Sequence, residues 1–118
     1  MKNTTQTQEQ IDLIIARCNK GRAAAQESIA AIQKQITERM AKGDCIASKA
    51  SIMRHMEGHV RAYTLILIEI TSTPLDTIIA DALLRGVDDR WSGRTNDLNR
   101  AVHDGLLEAF QTARYWAL

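Results

Sequence analysis

From Ile11 the apolar residues return at Ile15, Cys18, Ala25, Ile29, Ile32, Ile36 and Met40, with spacings that alternate between four and three and with Arg22 as the single polar interruption. That period places one stripe on a helix of nearly five heptads. Gly21 is the only glycine in the stretch, and Ala23, Ala24, Ala25, Ala30 and Ala31 are strong helix formers. Pattern and propensity therefore agree on a first helix over about 7–41. Lys42-Gly43-Asp44 follows with a helix-stop glycine and an aspartate placed to cap what comes next, so two antiparallel neighbours are expected.

Met53, Met56, Val60, Tyr63, Leu67 and Ile70 carry the next helical stripe, with Glu57 and Arg61 paired at i, i+4, which predicts a second helix over about 46–71. Its end, Leu65 to Thr71, is crowded with β-branched residues and resembles a buried strand in composition, but no second strand exists to pair with it. Thr73-Pro74-Leu75-Asp76 marks a helix start, with Thr73 as cap, Pro74 in the first turn and Asp76 at the positive end of the dipole. This third helix is expected over about 74–85, closed by Gly86. A fourth, over about 95–117, carries Leu98, Val102, Leu106 and Phe110 in one row and Ala101, Gly105, Ala109, Ala113 and Ala117 in the next. A row of small side chains admits a close helix neighbour. Gly58 and Ala62 on the second helix offer the same opportunity.

These elements predict an all-α protein, a four-helix bundle built on a long N-terminal αα-hairpin. The whole chain, 1–118, reads as one domain with a flexible start over 1–6. A first helix of this length is roughly 50 Å long, whereas a compact domain of this size is about 35 Å across. The overhang is expected to be covered by a second copy, giving an elongated homodimer with Ile11, Ile15, Ile29, Ile32 and Ile36 along the seam. Other ways to cover it are a different partner or a kink at Gly21.

Composition narrows the function classes. The 118 residues carry 15 Lys and Arg against 14 Asp and Glu, and 45% are apolar, which argues against disorder. The longest run of large apolar residues, Leu65 to Ile68, is too short to span a membrane. With no secretory signal in the polar start, a soluble cytoplasmic protein is expected, its Cys18 and Cys45 reduced and serving as small core residues. Residues 1–73 hold ten basic and seven acidic side chains and 74–118 hold five and seven, too even a balance for a nucleic-acid footprint. Ala82, Gly86 and Val87 match part of a helix-turn-helix pattern, but Ser92 and Thr95 occupy the anchor positions that should be apolar. A nucleic-acid-binding regulator is therefore an alternative and not the favoured reading.

No nucleophile sits in a glycine-bounded turn and no phosphate-binding glycine loop is present, so the chain reads as a non-enzyme without a cofactor. His55 and His59 share one helix face at i, i+4 and form a candidate metal pair. Glu57 points away from them, and a third ligand has to come from elsewhere, with His103, Asp104 or a cysteine to choose from. Four of the five aromatics lie in the last 28 residues, which end Arg114-Tyr115-Trp116-Ala117-Leu118. Arg, Tyr and Trp dominate interface energetics, so Arg114, Tyr115, Trp116 and Leu118 are the expected partner-binding residues, joined by Arg54 and Arg61 on a basic face of the second helix; the alternative is that Trp116 continues the Leu98 to Ala113 face and plugs the end of the bundle, with Arg114 and Tyr115 solvated. The resulting expectation is a small helical interaction protein that regulates or inhibits a larger protein partner, of the kind a mobile element encodes.

Overall fold

The computed structural model describes residues 3–90 and 97–116 and contains four helices, with no strand among them. These are α1 (Gln8–Ala41), α2 (Ala47–Glu69), α3 (Leu75–Arg90) and α4 (Asp97–Trp116). The all-helical bundle expected from the periodicity is therefore present. Helix α1 passes through Gly21 without a break, and the longest dimension of the molecule, 54 Å against 32 and 20 Å for the others, is close to the length of a straight helix of 34 residues.

Local chemistry explains the helix ends. Thr7 starts α1 with a reciprocal capping box: its hydroxyl accepts from the Gln10 amide while the Gln10 side chain accepts from the Thr7 amide, at 3.1 and 2.8 Å. At the other end Gly43 takes φ +77°, its amide donates to the Met40 carbonyl and the Asp44 amide donates to the Arg39 carbonyl. This is the paired closure that a left-handed residue after a helix permits, as the sequence indicates. Asp44 does not cap α2, whose first residue is preceded by Ile46 with no side-chain cap. The β-branched stretch stays helical to Glu69. Helix α3 begins after Pro74, whose carbonyl accepts from Ile78 at 3.1 Å. It then runs through Gly86 to Arg90, longer than expected, because a helical glycine costs only about 1 kcal/mol when its neighbours continue the pattern. Gly86 therefore makes no turn of the helix-turn-helix kind.

Helix α2 is central, packing extensively on both α1 and α4, while α1 and α4 barely meet. The core gathers at the end of the bundle where α1 starts, α2 ends and α3 starts: Ile14, Cys18, Ile66, Ile70, Leu75, Ile78, Ile79 and Phe110 are all less than 2% exposed. Burial pushes the Cys18 thiol up to about 12, so it stays protonated in the folded protein. Cys45, expected in the core, is instead exposed beside the hairpin turn.

A flexible 1–6 segment is expected from the polar composition; Met1 and Lys2 lie outside the described residues, and from Asn3 onward the segment is tied to the bundle. Asn3 is 8% exposed; its side-chain amide donates to Gln6 and to the Ile70 carbonyl, and its backbone amide donates to the Thr71 carbonyl at 2.9 Å. The asparagine side chain suits the place because its amide donates to the Ile70 carbonyl while its Oδ1 accepts from the Thr5 amide. The seam expected along α1 is not a continuous exposed row: Ile11 and Ile32 are buried within the single chain, and Ile15, Ile29 and Ile36 are half-buried. The nearest neighbour of Ile15 in sequence, Ile14, is fully buried in its place.

Candidate functional site

The closest helix contact is the α2–α4 crossing, and it is made by glycines. A Cβ placed on Gly58 would lie 2.1 Å from the Val102 carbonyl oxygen and 2.6 Å from the Leu106 amide. One placed on Gly105 would lie 1.9 Å from the His55 carbonyl oxygen and 2.8 Å from its carbonyl carbon. Backbone rests on backbone from both sides, which only a missing side chain allows. The row of small residues on α4 is buried from Ala101 to Ala113, with Ala109 and Ala113 at 0% exposure beyond Gly105, and Ala117 lies outside the described residues.

That crossing sets the one cluster of metal-ligating side chains among the described residues. His55 and His59 lie one turn apart on α2, flanking Gly58, and Glu108 lies three residues after Gly105 on α4. The two carboxylate oxygens of Glu108 approach the two imidazoles separately: Oε2 is 3.2 Å from His55 Nε2 and Oε1 is 3.0 Å from His59 Nε2. The ring centroids are 5.1 Å apart. His59 Nε2 is buried and, despite its distance to Glu108, lacks hydrogen-bond geometry. Burial lowers the His59 pKa below its ordinary value, an effect the Glu108 charge opposes. Glu108 itself is half exposed, so the cluster opens to solvent on its carboxylate side.

Of the third ligands the sequence offered, the structure brings none to the histidines. His103 and Asp104 sit elsewhere on α4, Cys18 is in the core and Cys45 is at the hairpin turn. Glu57 is 2.7 Å from Arg54, so it pairs with that arginine and not with Arg61 as its spacing suggests, and Arg61 is exposed on that face. Glu108 was legible only as one of seven carboxylates in the second part of the chain. The signal that singles it out is its position one turn beyond Gly105, matched to the one-turn offset of the histidines about Gly58.

The second feature lies at the end of the bundle. Arg114 and Tyr115 line a cleft of about 620 Å³ together with Thr5, Gln6, Gln10, Asp76 and Gln111. Tyr115 is 80% exposed, and Arg114 lies 3.8 Å from Asp76. Trp116, expected to face a partner, instead turns inward: it stacks on Tyr63 with centroids 5.8 Å apart and an 18° tilt, and the Arg17 guanidinium lies 5.9 Å from its ring centre. This is the end-plugging arrangement that extends the apolar face of α4. Leu118 lies outside the described residues. No described helix is long and apolar enough to cross a membrane. Comparison with known protein families, with curated proteins and with solved structures finds no match for this chain.

Proposed function

We propose that the chain is a non-enzymatic cytoplasmic interaction protein that regulates or blocks a larger protein, engaging it with the end of the bundle where α4 stops. The observation that carries this reading is the cleft itself. It combines a largely exposed tyrosine, an arginine that lies 3.8 Å from Asp76, and three glutamines at or just before helix ends, and Gln6 is held there by its bond from Asn3 at 2.6 Å. A large aromatic with a polar tip next to a guanidinium suits a protein segment that presents a carboxylate beside an apolar side chain. A second copy of the chain belongs to the same proposal, with Met40 and Ile52 the large apolar side chains that the distal hairpin leaves exposed for it. Net charge of +1 gives no support to nucleic acid as the partner.

The test is the double substitution Arg114→Glu with Tyr115→Ala, both on exposed positions, so helicity and melting temperature should stay near wild type. Wild-type chain used as bait in cells that produce it is expected to retain a partner that the double variant binds at least ~10-fold more weakly, the usual loss for removing an interface anchor and its charge. A bait that retains nothing, or a variant that retains the same partner equally well, contradicts the reading.

A further inference from the structure

We propose that His55, His59 and Glu108 form a binding site for one divalent transition-metal ion, zinc in the first place, held across the α2–α4 crossing. The site goes beyond the interaction reading and does not depend on it.

The spacing fits the ion. Zinc bonds to imidazole nitrogen and carboxylate oxygen are close to 2.0–2.1 Å, so two ligand atoms on a tetrahedral ion lie about 3.3 Å apart. The two nitrogen–oxygen separations here are 3.2 and 3.0 Å, and all three ligand atoms lie within 4.8 Å of one another. Two imidazoles at i, i+4 turn their Nε2 atoms to the same side of a helix, and the third ligand comes from the helix that the glycines bring into contact. The 3.2 and 3.0 Å separations run to different oxygens of Glu108, so drawing the three ligand atoms in from within 4.8 Å of one another to one ion is left to side-chain rotation.

The chemistry also asks for a cation. A carboxylate only accepts, and a neutral imidazole carries one N–H, so a ring whose Nε2 lone pair faces Glu108 meets another lone pair. His59 Nε2 is buried and lies 3.0 Å from Glu108 without a hydrogen bond, so no group among the described residues satisfies it. A metal ion between the three groups accepts all the lone pairs at once. Two imidazoles and one carboxylate suit zinc and its first-row neighbours and not calcium or magnesium, which take oxygen ligands. Three protein ligands leave a fourth position for water or an anion on the side where Glu108 is 57% exposed, and the ion enters by the same route. Once bound, it links the middle of α2 to α4, the helix that carries Arg114 and Tyr115.

Zinc chloride titrated calorimetrically into tag-free, chelator-treated protein tests the site, together with the metal content of the dialysed product. One zinc per chain is expected, with affinity reduced ~10-fold or more in His59→Ala and in Glu108→Ala. Zinc at roughly 100 times its Kd should raise the melting temperature of the wild type by several degrees and leave Glu108→Ala unmoved. Glu108 is exposed enough that its variant keeps the fold, which circular dichroism checks even if His59→Ala is destabilised. Absence of saturable binding, or one-to-one binding that survives both substitutions, overturns the assignment.

Discussion

Gly105→Ala is expected to destabilise the protein by about 3 kcal/mol, although alanine is the better helix former by about 1 kcal/mol at an exposed position. The reason is what the added carbon meets. Its neighbours are the carbonyl oxygen and carbon of His55, backbone atoms in the middle of α2 that no rotamer change can move aside. The helices must separate, and α4 then loses contact along its buried row at Ala101, Ala109 and Ala113 as well. Gly58→Ala meets the Val102 carbonyl and the Leu106 amide from the opposite side and should act in the same direction. For a chain of this size such a loss lowers the melting temperature by roughly 10 °C, measurable by calorimetry or circular dichroism. Gly21→Ala is a useful contrast, because the Cβ there would meet the edge of the Tyr63 ring at 2.8 Å, a side chain and not a backbone.

Phe110→Ala should cost more still, about 3–5 kcal/mol, by leaving a cavity where the largest fully buried side chain now sits. Phe110 is 1% exposed and belongs to the cluster that joins all four helices, with Ile14 from α1, Ile66 from α2 and Ile78 from α3. Chemical denaturation should show a lower midpoint with little change in slope if the fold persists around the cavity. An effect below about 1 kcal/mol would mean that α4 is not packed into the core as described. The two substitutions fail differently: Phe110→Ala removes apolar burial at one end of α4, whereas Gly105→Ala forces its middle away from α2.

The helices were legible because local patterns decide them. The repeat of α1 marks a helix, although its buried stripe runs through Ile14 in place of Ile15 and leaves Met40 exposed; the glycine at 43 and the small row of α4 act within a few residues and appear where their chemistry places them. What resisted reading depends on which faces meet. Gly86 looks like a stop in isolation, yet its helix continues to Arg90. Asn3 looks like part of a loose polar start until the carbonyls of Ile70 and Thr71 are brought to it from nearly 70 residues away. Glu108 falls in the same class: a surface carboxylate on α4 by pattern, it becomes the partner of two histidines once Gly58 and Gly105 set the register of α2 against α4. The histidine pair itself was visible from its spacing, because i, i+4 is a property of one helix. Trp116 could be read either as a partner anchor or as a bundle plug, and the stack on Tyr63 favours the plug.

The backbone contact between α2 and α4 is the feature on which both the core and the histidine–carboxylate cluster rest, and nuclear Overhauser spectroscopy on isotope-labelled protein observes it directly. Strong cross-peaks are expected between the α protons of Gly105 and those of His55, and between Gly58 and the Val102–Leu106 segment, since a Cβ at either glycine would overlap the opposite backbone. Their absence, in a sample whose Tyr63 and Trp116 ring protons still report contact with each other, would contradict the glycine crossing and with it the placement of Glu108 beside His55 and His59.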